Sequence, residues 1–374
     1  MNNNMKKVIW IIIAIVVLVG LVVWGNSRSK TPASGEAIKI GGIFILSGEG
    51  ASWGEAARNG MELAIKEINE DGGINGRPLQ GIYEDDKSSP QGGITAFNKL
   101  VNSDKVSYVI GPNWSNVGTA LIDLIKQKGV VAISPSLGLA EFNESSEYIF
   151  NTWPHDYILS QNLAQYVYEK GYRNVALLGA NDVWVKDQTK AFKEKFESLG
   201  GKIALVYEPL VTETDVRTEM LKIKNNKNID AVVMTIDGYS LTNVVAKQIK
   251  DLGINLPTYS ITIDRQIIKN CEGACDDMTF LTFLTPDSDF ENKYKSTYNR
   301  EVEIGADSAY DAIMLLVKAF KDTDSLDPGD VQAYLNKVET YKGASGNLVS
   351  DGEGAFTKPY IIKKVQNGEP VTIQ

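Results

Sequence analysis

The chain has 374 residues, 43% of them hydrophobic, and a formal net charge of −9; that is enough for two domains with an ordinary core. The acidity argues against nucleic acid or an anionic membrane surface as partner, since either would favour a basic face. A single histidine, His155, and two cysteines argue against a multi-histidine or thiolate metal site.

Met1–Lys7 is polar and carries Lys6 and Lys7. Val8–Trp24 is almost wholly apolar over roughly 17 residues, near the lower limit for a membrane-spanning helix. A secretory signal has a shorter apolar core and a small-residue cleavage site, whereas Trp24-Gly25-Asn26 follows here. Segment 1–25 is therefore expected to be an uncleaved signal-anchor, with a cleaved signal peptide as the alternative. The positive-inside signal is weak, because Arg28 and Lys30 flank the far side. No cysteine near the end of the apolar core is available for lipid modification. Both alternatives export the rest of the chain, and residues 26–37 read as a flexible linker.

From Ile38 onward strand and helix signals alternate, the pattern of a parallel α/β sheet. Ile38, Ile40, Ile43, Phe44, Ile45 and Leu46 form a first strand. Ser47–Ser52 is a loop of small residues, and Met61, Leu63, Ala64, Ile65 and Ile68 recur at helical spacing. Gly72 or Gly73 suits a left-handed helix cap, and Asn75-Gly76 a tight turn. Strands follow at Leu79–Tyr83, Val106–Ile110 and Val130–Ser134, with helices at Gln91–Val101 and Asn116–Lys128 between them. A second series opens near His155. Its helices are Asp156–Lys170, Asp187–Leu199, Asp215–Lys224 and Leu241–Leu252; its strands are Asn174–Leu178, Ile203–Tyr207, Ala231–Thr235 and Thr258–Thr262. Two series joined near residues 150–155 imply two lobes with a cleft between them, a preferred place for a ligand. Met278–Leu284 then leads across a hinge to helices Asp287–Arg300, Ala306–Lys321 and Pro328–Val338. Short strands at Gly346–Val349, Tyr360–Lys364 and Val371–Ile373 close the chain.

Ligands of open α/β sheets sit beyond the carboxyl ends of strands, and several such places carry candidate chemistry. Gly48-x-Gly50-x-x-x-Gly54 loosely matches a dinucleotide loop, with Glu84, Asp85 and Asp86 after the next strand. The loop is long, however, Glu49 is a poor neighbour for a diphosphate, and Trp53 crowds the helix start, so a nucleotide-dependent enzyme is disfavoured. In GPNWSN, Ser115 or Asn116 caps the next helix or leaves its amide N–H groups to a carboxylate; the two roles can coexist. Ser134-Pro135-Ser136-Leu137-Gly138 offers two hydroxyls and bare backbone. A serine nucleophile there would need a base, and the single histidine sits at the hinge. Asp156, Trp184, Asp237, Tyr239 and Asp264 lie where second-lobe strands end or helices begin. A buried carboxylate among them would attract an ammonium; capping is the alternative for Asp156 and Asp264, surface packing for Trp184. Cys271 and Cys275 are expected to form a disulfide in an exported chain, with two reduced thiols as the alternative.

These segments resemble the type I solute-binding proteins of ABC importers, specifically the leucine/isoleucine/valine-binding family. The resemblance runs from Ile38 to Gln374 and is carried by SGEGASWGEAARNGMELAIKEINEDGGINGRPL, DDKSSPQGGITAFNKLV, VIGPNWS, GVVAISPS, FNTWPHD and GNLVSDGEGAF, in that order. It implies two Rossmann-like α/β lobes with parallel sheets joined by three hinge crossovers, with no catalysis and no cofactor. The expected division is 38–154 with 285–345 for the first lobe, and 155–284 with 346–374 for the second. It further implies that Ser115 and the backbone at Ser136 hold a carboxylate, and that Trp53 covers the ligand. Asp264 and Asp156 match acids facing an ammonium, and Trp184 and Tyr239 match second-lobe aromatics, with Tyr239 displaced by a one-residue insertion. Gly138 stands where amino-acid binders of the family commonly place a threonine, which opens the ligand to another acid, an amide or a small peptide. WVKD at Trp184–Asp187 departs from the family's tyrosine–glycine pair. The expected function is capture of a branched-chain or other hydrophobic amino acid for a membrane permease, by a monomer. A ligand-sensing ectodomain acting through a partner receptor is the alternative.

Overall fold

The computed structural model describes residues 35–48, 50–236, 240–284 and 286–373. The expected membrane segment 1–25 lies outside these residues, as do Asp237 and Tyr239. No helix among the described residues is long and apolar enough to cross a membrane.

The first lobe is built from β1 (Ile38–Phe44), α1 (Ala51–Glu70), β2 (Leu79–Asp85), α2 (Pro90–Asn98), β3 (Tyr108–Ile110), α3 (Ser115–Lys128), β4 (Val131–Ser134), α4 (Ala140–Glu144) and β5 (Ile149–Asn151). Its strands lie in the order β2-β1-β3-β4-β5, all parallel. α1 starts after Gly50, which is left-handed at φ 82°, and buries Met61, Leu63, Ala64, Ile65 and Ile68. Glycine lets this helix dock closely: a Cβ at Gly54 would meet the Ile45 carbonyl oxygen at 1.8 Å. The Asn75-Gly76 turn is closed by paired backbone hydrogen bonds between Ile74 and Arg77, 2.8 and 2.9 Å.

The second lobe contains α5 (Tyr157–Glu169), β6 (Asn174–Leu178), α6 (Val183–Ser198), β7 (Lys202–Tyr207), α7 (Arg217–Asn225), β8 (Ala231–Met234), α8 (Leu241–Asp251), β9 (Thr258–Ile261), α9 (Arg265–Asn270) and β10 (Thr279–Phe283). The chain then returns to the first lobe as α10 (Ser288–Tyr298), α11 (Ala306–Thr323), α12 (Pro328–Leu335) and a small antiparallel sheet of β11 (Thr340–Gly343), β12 (Gly346–Ser350) and β13 (Phe356–Thr357). It ends in the second lobe with β14 (Tyr360–Gln366) and β15 (Glu369–Thr372). The lobes are thus linked between β5 and α5, between β10 and α10, and between β13 and β14.

Two features differ from the sequence expectation. The second sheet, ordered β15-β14-β10-β9-β8-β6-β7, is parallel only from β10 to β7, because β14 and β15 add antiparallel. The division after 345 also moves: Leu348 of β12 and Phe356 of β13 are buried in the first-lobe core with Ile40, Phe44, Met61 and Phe320. Burying each such side chain stabilises by about 1.5–3 kcal/mol, so the hairpin stays where its apolar side chains find a core. The crossover follows it, at Lys358, whose Nζ pairs with Asp307 Oδ2 at 3.2 Å, both side chains buried. Cys271 and Cys275 are joined by a disulfide with Cα atoms 5.6 Å apart, closing the turn after α9.

Candidate functional site

Between the lobes lies a narrow cleft. Trp53, Asn113, Trp114, Ser115, Asn116, Ser136 and Gly138 line it from the first lobe. Trp153 and Asp156 line it from the hinge, and Asp182, Trp184 and Thr262 from the second lobe.

The first-lobe wall is set by the ends of β3 and β4. Asn113 Nδ2 donates to Ser136 Oγ at 2.9 Å, and that hydroxyl donates to the Asn113 carbonyl at 3.2 Å. The Ser136 side chain is therefore spent on holding two loops together. α3 begins at Ser115 with no side-chain cap on its first turn, so its leading N–H groups and positive dipole end open toward the cleft. The buried Asn116 Oδ1 at this end accepts no hydrogen bond.

Asp156 is the charged group of the cleft. It is 4% exposed and precedes α5 directly, yet it makes no side-chain cap bond to that helix. Its carboxylate instead accepts Trp153 Nε1 at Oδ1 and Trp184 Nε1 at Oδ2, each at 2.9 Å. Burial pushes its pKa up to about 7; the two indole bonds pull the other way, and Asp187 pushes further up. Among the described residues no basic side chain lines the cleft. Asp156 also explains Gly138: a Cβ there would lie 1.7 Å from Asp156 Oδ2 and 2.2 Å from its Cγ. The space that a threonine side chain would need at position 138 is filled by a carboxylate from the hinge.

Asp264, the other acid that the resemblance implied, is held at both oxygens. Its Oδ1 caps α9 by accepting Ile267 N–H at 2.6 Å, and its Oδ2 accepts Trp53 Nε1 at 2.7 Å. It meets the N–H edge of Trp53 and lines two other cavities. Burial raises its pKa, while the bonds from Ile267 and Trp53 oppose that rise. The Trp53–Asp264 bond spans the lobes, and Trp114 packs on the second-lobe core, so this is a closed arrangement. Trp53→Phe is expected to weaken closure by about 1.5 kcal/mol, the low end for a hydrogen bond to a charged group. A larger radius of gyration for the unliganded variant in small-angle scattering would register it; an unchanged radius would deny the bond a role in closure.

The structure thus brings Trp53, Ser115, Ser136, Gly138, Asp156 and Trp184 to one cleft, while Asp264 lines two other cavities; Tyr239 lies outside the described residues. Sequence reasoning passed over Thr262, which ends β9 at φ 39° with a buried Oγ1 that has no partner. Positive φ is a strained setting for a β-branched residue, and such strain clusters at ligand sites. Its position beyond a strand end was the available signal. Asp182 and Ile304 carried none.

A family model for periplasmic binding proteins matches residues 37–369. The chain belongs to that family. As a periplasmic binding protein it is a receptor rather than an enzyme, and the family's location is extracytoplasmic. The Leu/Ile/Val-binding protein homolog 2 of Brucella abortus (strain 2308) is 27% identical over 344 residues, covering 89% of this chain and 91% of its own. The substrate-binding protein LivJ of Streptococcus pneumoniae, solved with isoleucine, is 26% identical with a TM-score of 0.82, covering 90% of this chain and 99% of its own. A Rhodopseudomonas palustris solute-binding protein solved with 4-hydroxybenzoate has a TM-score of 0.82 at 20% identity, covering 91% and 96%, a likeness of fold alone.

Asp156 gives this periplasmic binding protein a pH signature. Its folded pKa of about 7 lies above the unfolded value of about 3.9, so folding takes up a proton between those values. The sign follows: this group's contribution is full below about pH 4 and is lost as pH rises toward 7. Asp156→Asn is expected to flatten that part of the unfolding midpoint against pH for the unliganded protein. An unchanged slope would move the effect to Asp86, Asp311 and Glu303, which burial also raises, to about 6, 6 and 7.

Proposed function

We propose that this chain is the extracytoplasmic solute receptor of an ABC importer and that it captures a small amino acid or amino-acid-like zwitterion by lobe closure. One observation carries the reading: an uncapped helix N-terminus and a buried carboxylate without a cation share one closed cleft. The first is a site for a carboxylate; the second must be paired or protonated when desolvated. Ligand contacts to both lobes would favour the closed state, and a permease would recognise that shape. The names of the Brucella and Streptococcus relatives support an amino acid. The aromatic walls and the Rhodopseudomonas neighbour favour an aromatic acid as second reading, but such an acid leaves Asp156 without a counter-charge.

Thermal-shift titration of the full chain with amino acids, amides and hydroxybenzoates tests this. A ligand at 100 times its Kd adds about 2.7 kcal/mol to stability. Stabilisation by an amino acid or another zwitterion is the expected result; stabilisation by hydroxybenzoates alone would move the function to the second reading.

A further inference from the structure

All four tryptophans of the described residues line the same cleft. Trp53 comes from the first turn of α1, Trp114 from the residue before α3, Trp153 from the hinge and Trp184 from the first turn of α6. Among the described residues two carboxylates, Asp156 and Asp182, stand in the same walls, with no lysine, arginine or histidine. Two basic groups lie nearby with partners of their own. Lys358 pairs with Asp307 and holds its Nζ 5.0 Å from the centre of the Trp153 ring, and His155 Nε2 lies 2.8 Å from Asn143 Oδ1, with burial lowering its pKa. A solute that brings a positive charge pairs Asp156, which otherwise has to be protonated in the gap.

The acceptors decide the kind of positive charge. A primary ammonium has three N–H groups to place. Each oxygen of Asp156 already accepts an indole N–H, and Asp182 Oδ1 already accepts the backbone N–H groups of Trp184 and Val185 at 2.9 and 3.2 Å. The negative charge remains while about half of the lone-pair sites are taken. Aromatic walls with partly engaged carboxylates match an ammonium whose hydrogens are replaced by alkyl groups, which ring quadrupoles attract without hydrogen bonds. Indole N–H bonds from Trp53, Trp153 and Trp184 to carboxylates push electron density onto the rings and strengthen that attraction. The N-terminus of α3 and the unpartnered Thr262 hydroxyl remain as donors for a carboxylate.

We propose that the preferred solute is a betaine, a compact fully N-alkylated ammonium joined to a carboxylate. This rests on the amino-acid-like reading of the cleft and narrows it. Calorimetric titration of the full chain with N,N,N-trimethylglycine, N,N,N-trimethylvaline, glycine, valine, leucine and 4-hydroxybenzoate tests it. The expected result is that a trimethylated ligand binds about tenfold or more tighter than its parent amino acid. Trp184→Leu should then remove about tenfold of betaine affinity, Trp184→Phe less, and the parent should lose less in both. Valine or leucine binding as tightly as the trimethylated forms would overturn the betaine inference and leave amino-acid capture standing. Binding of neither class would overturn both. Should Trp184→Leu fail to fold, the ligand series on the unaltered chain decides alone.

Discussion

Asp156→Asn is expected to weaken an ammonium-bearing solute by about 30- to 5000-fold, the ~2–5 kcal/mol lost when one partner of a buried charge pair is neutralised. The change keeps the side chain's shape and removes its charge. Asparagine can still accept one indole N–H, but its own N–H₂ then faces the other indole donor, so one of Trp153 and Trp184 loses its partner. An amine-free acid should lose nothing, or gain, because it no longer meets a buried negative charge. Asp264→Asn separates the two acids. It disturbs the bond to Trp53 and the cap of α9, so it should weaken zwitterions and amine-free acids by similar, smaller factors. Titration of both variants with both ligand types checks this. A selective loss in Asp264→Asn, with none in Asp156→Asn, would return the ammonium to Asp264.

Gly138→Ala carries the second large effect. Its Cβ would fall within 1.7 Å of Asp156 Oδ2, 2.2 Å of Cγ and 2.9 Å of Asp156 Cβ. A rotamer change alone does not relieve this, because Asp156 is buried and its N–H donates to the Gly138 carbonyl at 2.9 Å. Overpacking of this kind costs about 3 kcal/mol or more, and it displaces the carboxylate from its two indoles. Lower stability and loss of ligand response are expected together. Asp156→Ala in the Gly138→Ala background should restore much of the stability, though not the binding. The two changes would then be strongly non-additive, as expected for residues that share one space. Additive losses would show that the collision is absorbed elsewhere.

That pairing shows where the sequence was legible and where it was not. Alternating strand and helix patterns placed most elements, since each lobe repeats a local rule: an apolar strand, a small-residue loop, an amphipathic helix. The three-residue β5, Ile149–Asn151, was too short to show a period. The hairpin at β12 read as second lobe because its order in the chain says nothing about which core receives Leu348. At the cleft, strand-end positions pointed to Ser115, Ser136 and Trp184. What one chain could not show is which acid faces inward. Asp264 follows a strand as a ligand group would; an open helix start and an indole across the gap engage its two oxygens, just as two indoles engage those of Asp156, so the difference between the acids is that Asp156 lines the main cleft. For Asp156 a ligand role and a cap were both open on the sequence, and it makes no cap bond. Gly138 read as a missing hydroxyl; in space it is the room that Asp156 occupies.

The central claim is that the lobes close on a solute carrying both charges, its cation beside Asp156 and its carboxylate at the start of α3. The most direct measurement is calorimetric titration of the full chain with a bound zwitterion, amino acid or betaine, against the same molecule lacking its nitrogen. The account predicts about 100-fold or greater preference for the zwitterion, as expected when a buried carboxylate is left without its partner. Equal affinity for the nitrogen-free acid would contradict it.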